Sequence, residues 1–152
     1  MGPCDCQPLA DQSGFDYLVD AARELIACER APEALQLLVA LIYNHWQPDA
    51  VSLAQVDDDG VIVFCAASGR MADRVVGMHL ESGRGIVGWV AESGRSLWVP
   101  DVHADDRFCD EIDRCTGFMT QAILAVPLMV SGDVVAVLEF INPEPGTDIH
   151  NV

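Results

Sequence analysis

The stretch from Gly83 to Asn142, GRGIVGWVAESGRSLWVPDVHADDRFCDEIDRCTGFMTQAILAVPLMVSGDVVAVLEFIN, constrains the fold more than any other part of the chain. Ser82-Gly83-Arg84-Gly85 leads into a short helix through Ile86, Val87, Trp89 and Val90, and Gly94 supplies the left-handed residue that closes it. Leu97-Trp98-Val99 reads as a strand ended by Pro100. Asp105 to Thr116 is polar and acidic and reads as an irregular segment holding a short helix. Thr120 to Val130 and Val134 to Ile141 are long apolar runs separated by Ser131-Gly132-Asp133, a hairpin signal.

Upstream, the apolar period starts helical and then drops to two. Phe15, Leu18, Val19, Ala22, Leu25 and Ile26 predict one amphipathic helix. Leu35, Leu38, Leu41, Ile42 and Trp46 predict a second, with Pro32 in its first turn and Pro48 past its end. Ala50 to Val56 alternates as a strand. Asp57-Asp58-Asp59-Gly60 is a turn and Val61 to Ala67 the return strand. Ser68 to Asp73 reads as a loop, and Val75 to Leu80 as a third strand. Strands joined by hairpins, with helices at fixed places between them, predict an α+β domain: a central antiparallel sheet of about six strands with helices packed on it. Residues 1–13 are read as a flexible N-terminus, 14–142 as the domain, and 143–152 as a tail cut short of a following helix.

The 152 residues suffice for one buried core, and at 51% hydrophobic and 21% charged the composition is globular. The formal net charge is −16, and all eight basic residues are arginine. Such a chain is repelled by nucleic-acid phosphates and anionic lipid, so neither is an expected partner. Without lysine, Schiff-base chemistry and a Walker-type phosphate loop are excluded. An anionic ligand needs local help from an arginine or from helix N-terminal amides. No apolar run is long enough to cross a bilayer, and a cytoplasmic location is expected. The six cysteines show no disulfide framework. His79 and His103 lack a second ligand at metal spacing, so no metal is expected. Trp89 and Trp98 are read as core, and the acids Asp101, Asp105, Asp106, Asp110, Glu111 and Asp113 as a solvated face, with Arg107 free to hold one of them or an anionic ligand.

The segment Thr116 to Leu128, TGFMTQAILAVPL, is similar to the TGY/F-x-T-x-x-I-L-x-x-P segment of phosphodiesterase-type GAF domains. Val99-Pro100-Asp101, the Arg107-Phe108 pair and Glu111-Ile112-Asp113 extend the resemblance. It implies a small-molecule-binding sensory domain of a signal-transduction protein, non-catalytic and without a cofactor, with a cyclic nucleotide as the leading ligand. It also implies an output domain or partner downstream. An alternative on the residues alone is a degenerate domain that serves only homodimerisation through its terminal helices, for which Leu35, Leu38, Ile42 and the first-helix stripe offer a seam. By the same resemblance, Ser52 makes a polar contact to the base and Phe64 covers the purine. Ile86 and Val87 open the helix whose amides face the cyclic phosphate. Asp113, Thr116 and Thr120 surround the nucleotide, Phe108 lies beside them, and Glu139 is an acid at the pocket floor. On the residues alone, Thr116 and Thr120 equally read as a helix end and a strand start, and Glu139 as a solvent-facing strand residue.

The chain departs from that pattern in three places. Cys65 follows the stacking aromatic where an acid is common, Asn142 is followed by Pro143 rather than lysine, and the downstream signature has no counterpart. Gly117-Phe118-Met119 lacks the histidine of haem-binding members, and Cys115-Thr116 lacks the Cys-His pair of bilin-binding ones. A second family within the fold, the free methionine-(R)-sulfoxide reductases, uses two cysteines near the same pocket. Cys109-Asp110 resembles one of their turns, but Val87 stands where the other has cysteine, so an oxidised Cys109 has no resolving thiol there.

Overall fold

Side-chain alternation along the two central strands divides the apolar residues between two cores, one on each face of a single sheet. The computed structural model describes residues 16, 19, 20, 23 and 32–144. Within 32–144 the order is helix α1 (Pro32–Trp46), strands β1 (Ala50–Val56) and β2 (Ile62–Gly69), the one-turn helix α2 (Ala72–Val75), β3 (His79–Leu80), helix α3 (Gly85–Ser93), β4 (Leu97–Val99), a 3-10 turn (Val102–Ala104), helix α4 (Glu111–Thr116), β5 (Ile123–Val130) and β6 (Asp133–Ile141). The strands lie in the order β3-β2-β1-β6-β5-β4, and every neighbouring pair is antiparallel.

One face carries Val51, Leu53, Leu124, Val126, Leu128, Leu138 and Phe140, packed against Leu35, Leu38, Val39 and Ile42 of α1. Trp46 meets Phe140 edge-on, with ring centroids 5.9 Å apart. The other face carries Ala54, Ile62, Phe64, Ala125 and Val137, packed against Ile86, Val87 and Val90 of α3. Such burial of apolar surface is the main stabilising term in a domain of this size. Val19 joins the first core. The rest of the expected first-helix stripe lies outside the described residues.

A β-bulge adjusts this division at Cys65. Leu53 pairs with Ala66 and Ala54 with Phe64, so Cys65 is left without a partner opposite it. Its thiol donates instead to the Leu53 carbonyl at 3.4 Å. Strict alternation would put Phe64 and Ala66 on one face. The bulge turns Phe64 to the α3 side and Ala66 to the α1 side.

Helix α3 is placed by two glycines. Gly94 caps its C-terminus at φ 65° and donates to the Val90 carbonyl. Gly88 lies where any Cβ would collide with the backbone of Gly83. Only a bare α-carbon lets the helix lie so close to the turn that precedes it.

The structure corrects several expectations. Val75 to Leu80 is not one strand: Val75 ends α2, Gly77 and Met78 reach Phe64 of β2 through backbone hydrogen bonds, and the strand itself is His79–Leu80. Met71 begins that helical turn at φ 61°, which diverts the chain from extended geometry. Strand β2 runs on to Gly69, and β5 starts at Ile123 rather than Thr120. Leu35, Leu38 and Ile42 are buried against the sheet, so they cannot form a dimer seam; the apolar side chains that α1 exposes are Leu37 and Leu41. Trp89 and Trp98 are half-buried beside the two cores rather than within them.

Phe140 is fully buried at the centre of the sheet. Phe140→Ala is expected to lower the unfolding free energy by about 3–5 kcal/mol in a urea titration. A loss below about 1 kcal/mol would show that this face is not the core described here.

Candidate functional site

The floor of the site is set by strand register. β1 and β6 pair so that Ser52 lies opposite Glu139, on the face away from α1. Glu139 does sit opposite Leu138 and Phe140, as alternation requires, but it is buried at 6% exposure rather than facing solvent. The Ser52 hydroxyl donates to Glu139 Oε2 at 3.1 Å. Loss of hydration raises the Glu139 carboxyl to about 7, against a smaller lowering by the serine bond. Near neutrality this group is therefore close to half protonated, able to donate as well as accept. Phe64, turned inward by the bulge, covers the floor beside it.

One wall is the N-terminus of α3. Its N-cap residue, Arg84, makes no side-chain capping bond, and the Gly88 N–H reaches the Arg84 carbonyl at 3.1 Å. The N–H groups of Ile86 and Val87 have no acceptor among the described residues, although both residues are buried. Such groups and the positive end of the helix dipole favour an anion.

The segment from Asp105 to Thr120 forms the cover. Arg107 grips Asp105 through Nε at 2.9 Å and Nη2 at 2.7 Å, and its guanidinium lies 4.7 Å from the Trp89 ring centroid. The Arg107 hydrogen bonds hold the Asp105 carboxyl down at about 2. Arg84 pairs with Glu111 at 3.0 Å, joining α3 to α4. Asp113 accepts from the Thr120 hydroxyl at 2.7 Å and the Thr120 N–H at 2.8 Å. The Thr116 hydroxyl donates to the Ile112 carbonyl at 2.8 Å and accepts from the Phe118 N–H. Thr116 thus ends α4, and Thr120 is tied to that helix. The acidic run is therefore only partly a solvated face: Asp101, Asp106 and Asp110 are exposed, but Asp105 and Asp113 are half-buried and hold donors within the cover.

Asn142 fastens the cover to the sheet. At φ 49°, its side chain accepts the N–H groups of Gln121 and Ala122 and donates to Asp49 and to the Met119 carbonyl. These bonds replace a strand ladder at 120–122 and explain the late start of β5.

All nine residues singled out from the sequence line one cavity: Ser52, Phe64, Ile86, Val87, Phe108, Asp113, Thr116, Thr120 and Glu139. The cavity volume is about 80 Å³, and the cavity opens to solvent. The wall also includes Arg70, Met71, Cys109, Ile112 and Phe118, which the sequence reading did not assign to a pocket. Cys109 carried a signal through its redox motif; Arg70 and Met71, at a strand-to-helix junction, carried none. No cluster of histidine, cysteine or carboxylate residues suited to a metal occurs among the described residues. No helix among them is long and apolar enough to cross a membrane.

Comparison with known proteins agrees with this architecture. A family model described as the GAF domain matches residues 15–150. The chain is 44% identical over 61 residues to the dual 3',5'-cyclic-AMP and -GMP phosphodiesterase 11A of Takifugu rubripes, covering 40% of this chain and 7% of the relative. It is 37% identical over 98 residues to the alpha subunit of human rod cGMP-specific 3',5'-cyclic phosphodiesterase, covering 64% of this chain and 11% of that one. The chain therefore spans only a small part of the length of these relatives. Among solved structures, the GAF domain of a phosphoenolpyruvate-protein phosphotransferase from Coxiella burnetii superposes with a TM-score of 0.67 at 20% identity, over 87% of this chain and 79% of that one. Free methionine-R-sulfoxide reductase from Neisseria meningitidis gives 0.64 at 19% identity, over 93% and 81%. At such identities the likeness is one of fold. The family match and the antiparallel sheet with its covered cavity together show that the chain belongs to the GAF domain family, the ligand-binding sensory fold of signalling proteins.

Proposed function

We propose that the cavity binds a purine cyclic nucleotide and that the domain regulates a larger signalling protein rather than catalysing a reaction itself. The observation that carries this reading is Glu139. A carboxyl group held out of water costs free energy unless the site uses it, and this one lies at a cavity floor beside a single hydroxyl. A purine edge offers the donors and acceptors that such a group can meet. Phe64 supplies a face for stacking, and the Ile86 and Val87 amides supply donors for one phosphate charge. Similarity to phosphodiesterases named for cyclic AMP and cyclic GMP supports the same ligand class.

Regulation would follow from the cover. Its fastenings include ion pairs that are well exposed, Arg84–Glu111 and Arg114–Asp110. Exposed pairs contribute little, so the segment is held loosely enough for an occupant to change its order. A ligand that binds one arrangement better shifts the population toward it.

Cys109 on the wall favours a second reading, reduction of methionine sulfoxide. Val87 occupies the position of the second thiol in that chemistry. Sulfoxide turnover with a thiol reductant is expected to be absent; turnover lost in Cys109→Ser would establish the enzyme instead.

Saturating cyclic AMP or cyclic GMP is expected to raise the melting temperature. A ligand at 100 times its Kd stabilises by about 2.7 kcal/mol, or about 5–10 °C for a domain of this size. No shift with either nucleotide would overturn the reading. Glu139 also predicts a pH dependence. Its carboxyl is raised from 4.5 to about 7 on folding, so the native state holds a proton that the unfolded chain releases across that window. Stability is fully present below about 4.5, falls as pH rises to about 7, and then levels off, a loss on the order of 3 kcal/mol. In Glu139→Gln this component is expected to vanish from urea unfolding curves taken between those pH values. A variant with the wild-type slope would contradict the assignment.

A further inference from the structure

We propose that Arg70 is a ligand-contacting residue that selects for a negatively charged occupant of the cavity. This rests on the cyclic-nucleotide reading of the same site and names a contact which that reading does not contain.

The argument starts from charge. The chain carries a formal net charge of −16, and the cavity wall itself holds two carboxyl groups, Glu139 and Asp113. An anion entering this field meets repulsion, which amides at one helix end only partly offset. Among the described residues the wall contains one basic residue, Arg70.

The other arginines around the site are committed. Arg74 donates to the Thr116 carbonyl at 3.1 Å, Arg84 pairs with Glu111, Arg107 with Asp105, and Arg114 with Asp110. The Arg70 side chain has no ion pair or hydrogen bond among the described residues, and the residue is exposed. Its backbone is nevertheless fixed, because its N–H donates to the Asp49 carbonyl at 3.0 Å and Met71 follows at φ 61°. An anchored backbone carrying an uncommitted guanidinium at a cavity rim suits capture of an anion from solvent. The planar fork can hold two oxygens of one phosphate, which a single amide cannot.

The test is calorimetric titration of the 152-residue chain with guanosine 3',5'-cyclic monophosphate and with guanosine, which lacks the phosphate. It is run on the wild type, Arg70→Gln and Arg70→Lys, with unliganded melting temperatures measured alongside. Arg70→Gln is expected to melt like the wild type and to bind the nucleotide about tenfold more weakly, with guanosine unaffected. Arg70→Lys is expected to recover part of the loss. Unchanged nucleotide affinity in Arg70→Gln overturns the proposal, as does an equal loss for guanosine, which would reveal a structural role. Absence of binding to the wild type by cyclic GMP and, in a parallel titration, by cyclic AMP overturns the cyclic-nucleotide reading and this inference with it.

Discussion

The pairing of β1 with β6 is the constraint on which the rest depends. It joins Ser52 to Glu139, 87 residues apart in sequence, at the middle of the sheet. The same register places Leu53 against Leu138 and Val51 against Phe140 on the opposite face. A slip of one residue would drive the carboxyl into the α1 core and turn the leucines toward the cavity. Packing against α1 thus fixes the register, and the register fixes the polar floor. Stability and site geometry are two consequences of one alignment.

The roof is held by different forces from the floor. Below, burial of apolar side chains dominates, and little of that surface can move without cavities opening. Above, the segment from Asp105 to Thr120 is held by polar contacts: Arg107 on Asp105 and Trp89, Asp113 on Thr120, and Asn142 on the strand entry. The cover's other ion pairs, Arg84–Glu111 and Arg114–Asp110, are exposed, and exposed ion pairs stabilise weakly. A rigid floor under a polar roof is a reasonable arrangement for a sensor. In the proposed function the floor recognises the ligand and the roof changes its order.

Much of this was legible in the sequence, for identifiable reasons. β1 and α1 were read with their observed boundaries because their periods are uninterrupted and prolines or turns bracket them. Glu139 is placed at the pocket floor by family resemblance, while strand alternation alone puts it on the face opposite Leu138 and Phe140, a face that solvent explains as well as a pocket does. Phe64 was placed in the cavity by family resemblance, while the bulge at Cys65 that turns it there has no signal in a period-two pattern. Val75 to Leu80 misled because its apolar residues suit a strand, whereas Met71 in a left-handed conformation starts a helical turn. Asp113, Thr116 and Thr120 were read as ligand contacts, and the structure adds that they bond within the cover. Arg70 went unnoticed because an isolated arginine acquires meaning only when its neighbours' partners are known.

Carbon-13 NMR of the Glu139 side-chain carboxyl, titrated with and without cyclic GMP, tests the central claim most directly. The account predicts a midpoint near 7 in the free domain and a clear change in shift and midpoint when the nucleotide binds. A midpoint near 4.5 with no response to nucleotide would mean that the carboxyl is hydrated and the cavity is not the recognition site.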